Sequence, residues 1–202
     1  MKFNTRELAT VAVFGTLWGI SEITMGSVLH ALNIPLSGAF LAAIGIIIAL
    51  IGRVFVPKRG SILFIGLIAM LLKLFTLGGI VIGPMVAILS EAILTELALS
   101  LSRKPRLLTF MLAGSIGITW SLVQPLVTGP LLFGRTLFIV WLDLLDSGSR
   151  LLGLNSSAIF FIAAGLLVIY LVIGSAAGWI AWLIAKQLQI RMGRNQEDVS
   201  NQ

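Results

Sequence analysis

Six stretches of mostly apolar residues, each near the length of a bilayer crossing, dominate this chain: 8–32, 36–56, 61–77, 80–101, 107–133 and 158–185. A helix crosses the hydrocarbon core with about 20 such residues. The pattern therefore predicts an all-α integral membrane protein of six transmembrane helices, the third of them the shortest. The breaks carry the prolines and glycines that punctuate helices: Asn33-Ile34-Pro35, Pro57-Lys58-Arg59-Gly60, Gly78-Gly79 and Arg103-Lys104-Pro105-Arg106. With 58% hydrophobic and 11% charged residues, a soluble domain is excluded. The six helices form one domain, residues 1–186, and leave a polar tail, 187–202, expected to fray or lie along the inner surface. Lys2 and Arg6 give the start a basic flank, but the apolar run after it is longer than a signal-peptide core and no small-residue cleavage site follows, so it is read as the first span.

Charge sets the orientation. Lysine and arginine collect in cytoplasmic loops, and here they alternate with the breaks. The N-terminus holds Lys2 and Arg6, the second break Arg53, Lys58 and Arg59, the fourth Arg103, Lys104 and Arg106, and the tail Lys186, Arg191 and Arg194. The first and third breaks hold none. An even number of crossings with both termini cytoplasmic satisfies this alternation, and an odd number does not. The net charge of +6 is thereby a topology signal, and no nucleic-acid partner is expected. The longest connection, 134–157, carries Leu137, Phe138, Trp141, Leu144 and Leu145 at helical spacing, with Asp143, Asp146, Ser147 and Arg150 on another side. It predicts an extra amphipathic helix at the membrane surface between the fifth and sixth spans.

Four ionisable residues fall inside the spans: Glu22, Lys73, Glu91 and Glu96. Placing a charge there costs at least about 2.5 kcal/mol, so each needs a partner, a cavity or a function. At about 1.5 Å of rise per residue, Glu22 and Lys73 belong to the outer half and Glu91 lies near the midplane. Glu91 and Glu96, five residues apart, point about 140° away from each other and cannot share one small pocket. One reading is an outward-facing polar pocket walled by Glu22, Lys73, Glu91 and the His30 to Asn33 turn, with Trp120 or Trp18 deep enough to stack on a ring. The competing reading of Lys73 and Glu91 is a buried pair across the hairpin of the third and fourth helices. Glu96 is expected to meet a basic residue near the inner interface. Gln124-Pro125 and Pro130 predict a kink near the outer end of the fifth helix. Ala9, Ala12, Gly15 and Gly19 give the first helix a small face, and Gly174 and Gly178 form a second small-residue patch, both suited to close helix approach.

Catalysis finds little material. There is no P-loop motif, no G-x-S-x-G, no cysteine and a single histidine, so no nucleotide-hydrolysing, serine-hydrolase or histidine-rich metal site is expected, and no cofactor. Binding or transport of a solute remains, and the protein is expected not to be an enzyme.

At this point the chain resembles the substrate-binding S components of energy-coupling factor (ECF) transporters, prokaryotic importers of vitamins and micronutrients. The residues that carry the resemblance are the small-residue opening helix from Thr5 to Leu17 and the turn Ile82-Gly83-Pro84-Met85 with Glu91 seven residues beyond its proline. Six spans, cytoplasmic termini and the chain length fit as well. The resemblance implies a protein of the cell membrane that captures a solute on its outer side and topples to carry it inward. It also implies a transmembrane coupling subunit and two cytoplasmic ATPases as partners. Where that family docks its coupling subunit through Ala-x-x-x-Ala on the first helix, this chain has Ala12 and Thr16, with Gly15 and Gly19 beside them. An acidic pocket with one lysine favours a small organic solute bearing a positive group; the expected substrate-binding set is Glu22, His30, Asn33, Lys73, Glu91 and Trp120. Two alternatives stand beside this reading: a proton-coupled carrier using Glu22 or Glu91, and a non-catalytic subunit of a larger membrane complex.

Overall fold

The computed structural model describes residues 3–32, 35–75, 82–102, 106–155 and 158–200. All regular structure among them is helical: α1 (Thr5–Ala31), α2 (Ser37–Phe55), α3 (Ser61–Leu72) running into a 3-10 turn (Lys73–Phe75), α4 (Ile82–Ser100), α5 (Leu107–Phe133), α6 (Leu137–Leu152) and α7 (Ile159–Ser200). Five of these helices, all but α3 and α6, are long and apolar enough to cross a membrane, whereas Ser61–Phe75 is shorter. The Gly78-Gly79 and Arg103-Lys104-Pro105 breaks lie outside the described residues. Large apolar side chains point outward along every helix, among them Val13, Val28, Leu97, Leu108, Leu131, Phe160 and Val172. Water would not tolerate that surface; lipid does. The chain thus has the architecture of an all-α, multi-pass membrane protein.

The helices begin and end where local chemistry directs. Asn4 and Glu7 cap the start of α1 reciprocally, the Glu7 backbone N–H donating to Asn4 Oδ1 at 2.7 Å and the Asn4 N–H to Glu7 Oε2 at 2.8 Å. Gly60, at φ 88°, turns the chain sharply into α3 through a left-handed conformation that a side chain would strain. The tail beyond 187, expected to fray or lie along the inner surface, continues α7 as helix to Ser200. The amphipathic helix is present as α6, capped by Thr136, whose hydroxyl accepts from the Ile139 N–H. It seats Val140, Leu145 and Gly148 inward, while Leu137 and Phe138 of the expected apolar face point outward. Arg135 pairs with Asp143 and Arg150 with Asp146 on its polar side.

Lipid tails are as apolar as leucine, so the bundle is held by packing contacts and small residues that let backbones approach, rather than by removal of apolar surface from water. The α5–α7 contact shows this most clearly. A Cβ on Gly178 would fall 2.1 Å from the Phe110 carbonyl oxygen, and one on Gly174 would fall 2.4 Å from Ser115 Cα. The second small-residue patch of the sequence is therefore a helix-crossing point within the chain. Gly15 and Gly19 have the same function against α3: their Cβ positions lie 2.7 Å from Ile68 Cβ and 2.8 Å from Leu72 Cδ1. These two glycines are not a partner-docking face, as their spacing suggested; only Ala12 and Thr16 of that set remain exposed. Trp18 fills the centre, fully buried and wedged against Gly45 and Gly66. It is a packing residue and not a free stacking platform.

Candidate functional site

The four intramembrane ionisable residues separate into two groups. Glu96 stands toward the basic end of the bundle. Its Oε2 accepts the Ile62 N–H of the first turn of α3 at 3.0 Å and its Oε1 accepts the Ser100 hydroxyl at 2.7 Å. Arg53 lies 4.0 Å away. Glu96 thus neutralises an open helix N-terminus and meets a basic residue, which is an architectural task.

Glu22, Lys73 and Glu91 form the second group, deeper in the bundle. Lys73 sits in the 3-10 turn at the end of α3 and reaches across to α1, where its ammonium donates to the Glu22 backbone carbonyl at 3.0 Å and to Glu22 Oε2 at 3.3 Å. Both side chains are buried. The lysine that hairpin geometry offered to Glu91 therefore belongs to Glu22. The reason is local: the 3-10 turn swings the α3 terminus onto α1, which packs along α3. Gly26, one turn beyond Glu22, leaves room for it, since a Cβ there would lie 3.5 Å from Lys73 Nζ.

Glu91 faces α5 instead. Its Oε1 accepts the Ser121 hydroxyl at 2.7 Å, and among the described residues it has no ion-pair partner. Glu22 is close enough for the two carboxylates to feel each other's charge. A polar seam continues between the two helices. A turn from Glu91, the Thr95 hydroxyl faces Gly117 of α5 without a hydrogen-bond partner among the described residues, and toward the other end Gln124 Nε2 donates to the Gly83 carbonyl at 3.0 Å. Pro125 lacks an N–H, so the Ser121 carbonyl is also relieved of its usual helical donor. The indole N–H of Trp120, one residue before Ser121, is buried and unpartnered among the described residues.

Of the expected substrate-binding set the structure pairs Glu22 with Lys73 and leaves Glu91 within electrostatic reach of Glu22, and it adds Ser121, which sequence reasoning missed. Its signal was available: Gly117, Ser121, Gln124 and Thr128 recur at helical spacing on one stripe of an otherwise apolar helix. Asn33 lies outside the described residues, and so does the side chain of His30. Among the described residues no cluster of histidine, aspartate and glutamate could hold a metal ion.

No family model matches the chain, and neither a characterised protein nor a solved structure matches it.

Proposed function

We propose that this protein is the substrate-capture subunit of an ATP-driven importer, of the kind the ECF S components represent, and that it holds a small organic solute bearing a positive group. The observation that carries the reading is the burial of two polar pairs, Glu22 with Lys73 and Glu91 with Ser121, within electrostatic reach of each other inside an apolar bundle. Glu22 and Lys73 cancel each other's charge. Among the described residues the Glu91 carboxyl group is answered by one hydroxyl, in a setting where an unanswered charge is costly. A cationic group on a solute would supply the countercharge that no described residue gives Glu91, and the Trp120 N–H, unpartnered among the described residues, offers a further polar contact on the same stretch of α5.

The six-crossing topology belongs to this proposal. α3 begins against Glu96 near the end of α4 and finishes against Glu22 in the second half of α1, which supports its running antiparallel to α4 and parallel to α1 as a short crossing. The basic residues Arg53, Arg59 and Lys186 converge at one end of the bundle, in keeping with cytoplasmic termini in a cell membrane. A coupling subunit would meet α1 along the exposed stripe of Ala9, Ala12 and Thr16 rather than along its buried glycines.

Affinity purification of the chain from its native membrane tests the assembly. The expected result is co-isolation with a second membrane subunit and with ATPases carrying a G-x-x-x-x-G-K-[ST] loop, and ATP hydrolysis by the isolated complex. A specific observation keeps the proton-coupled carrier as the second reading, namely that Glu91 has no ion-pair partner among the described residues. Proteoliposomes holding this chain alone that take up protons with a solute, without ATP, would establish the carrier instead.

A further inference from the structure

A cavity of about 690 Å³ opens at the basic end of the bundle, remote from the Glu22, Lys73 and Glu91 cluster. Arg53 of α2, Arg59 of the following turn and Lys186 of α7 all line it, together with the polar side chains of Ser100, Ser102 and Gln189. Glu96 moderates only Arg53, at 4.0 Å, and both Glu96 oxygens are already engaged by Ile62 and Ser100. Among the described residues neither Arg59 nor Lys186 has an ion-pair partner, and both are exposed. Three cations facing one cavity repel one another unless an anion enters. Beneath that rim the lining changes character. Val54, Leu99, Phe110 and Trp182 are apolar, the last two locked edge to face with ring centroids 5.2 Å apart. A hydrated inorganic anion has no use for that floor, whereas an amphiphile with a phosphate head and a hydrocarbon body matches both levels.

We propose that this cavity is a phosphate-binding site occupied by the headgroup of an anionic membrane phospholipid, its phosphate held by Arg53, Arg59 and Lys186 and its glycerol and proximal chain resting on Val54 and Trp182, the accessible apolar residues of the lining. Arginine suits the role because its planar fork meets phosphate oxygens in pairs. Basic pockets between transmembrane helices on the cytoplasmic side are where such headgroups bind. The site needs neither the solute pocket nor a coupling subunit, so it stands whether or not the importer reading does. Bound lipid would tie the ends of α2, α4, α5 and α7 together at the membrane boundary.

Native mass spectrometry of the full chain released from nanodiscs of mixed phosphatidylglycerol and phosphatidylcholine tests it. The wild type should retain phosphatidylglycerol in preference to phosphatidylcholine, whose phosphate is already answered by choline. The double variant Arg59→Gln/Lys186→Gln should bind phosphatidylglycerol about thirtyfold more weakly, since each basic residue near the surface contributes roughly a fivefold factor. Both positions are exposed, so the variant should keep the wild-type unfolding temperature, and Arg59→Lys/Lys186→Arg should keep lipid binding. Equal retention of phosphatidylglycerol by wild type and Gln variant overturns the proposal. Displacement of the lipid by millimolar inorganic pyrophosphate, with pyrophosphate found on the protein in its place, overturns the lipid assignment and makes the occupant a soluble phosphate compound.

Discussion

Lys73 Nζ lies 3.0 Å from the backbone carbonyl of Glu22 and 3.3 Å from its carboxylate, so one buried ammonium ties the end of α3 to the middle of α1. Removing either partner takes away the other's buried countercharge. Glu22→Gln or Lys73→Met alone should therefore destabilise the protein by about 3–5 kcal/mol, while the double variant Glu22→Gln/Lys73→Met should recover most of that loss. Unfolding in detergent followed for the two single variants and the double variant checks it. Additive losses would mean that the pair is not coupled.

On α1, the buried and exposed small residues should behave oppositely. A Cβ on Gly15 would press on Ile68 and the Ile65 carbonyl at 2.7 and 2.9 Å, so Gly15→Ala should cost about 1–3 kcal/mol through overpacking. Ala12→Leu and Thr16→Leu, at exposed positions, should leave the unfolding temperature within a degree or two of wild type. If α1 meets a coupling subunit, those two variants alone should lose it on purification.

The α5–α7 crossing is less forgiving. Gly178→Ala would drive its methyl group into the Phe110 carbonyl and the Met111 Cα, which are backbone atoms that cannot rotate away. The helices must separate, and a loss above about 3 kcal/mol or failure to insert as a monodisperse protein is expected. Wild-type stability for this variant would show that α7 does not cross α5 here.

Much of this arrangement is legible in the chain. Span length with the Pro and Gly breaks predicts the helices and their order, because bilayer thickness and helix-breaking act on local sequence. The amphipathic α6 is equally local. What escapes is which helix face meets which neighbour. Gly15 and Gly19 have the spacing of a docking patch, yet α3 fills it, and spacing cannot say whether the partner is the same chain or another. Lys73 and Glu91 are near in depth, but the 3-10 turn at Lys73, which redirects it to Glu22, follows from packing at a helix end. Ser121 is an ordinary serine until its helix is seen against Glu91.

The absence of cysteine permits a direct test of crossing number. Single cysteines at Arg59 and Arg106 should react with a membrane-impermeant maleimide only after the inner face is opened, and cysteines at Leu32 and Leu154 should react from outside intact cells. All four positions are exposed. Labelling of Arg106→Cys from outside together with protection of Arg59→Cys would show that α3 does not cross.

The central claim is that Glu91 holds the positive group of a captured solute, and it is tested most directly by mass spectrometry of the small molecules released from purified wild type and from Glu91→Gln. Glutamine keeps the size of the side chain and an acceptor for the Ser121 hydroxyl, so the variant should fold. Losing a charged contact worth about 1.5–3 kcal/mol should weaken binding roughly ten- to hundredfold. The account predicts one cationic organic molecule released in near-stoichiometric amount from the wild type and missing from the variant. Equal recovery from both proteins, or no small molecule from a well-folded wild type, would contradict it.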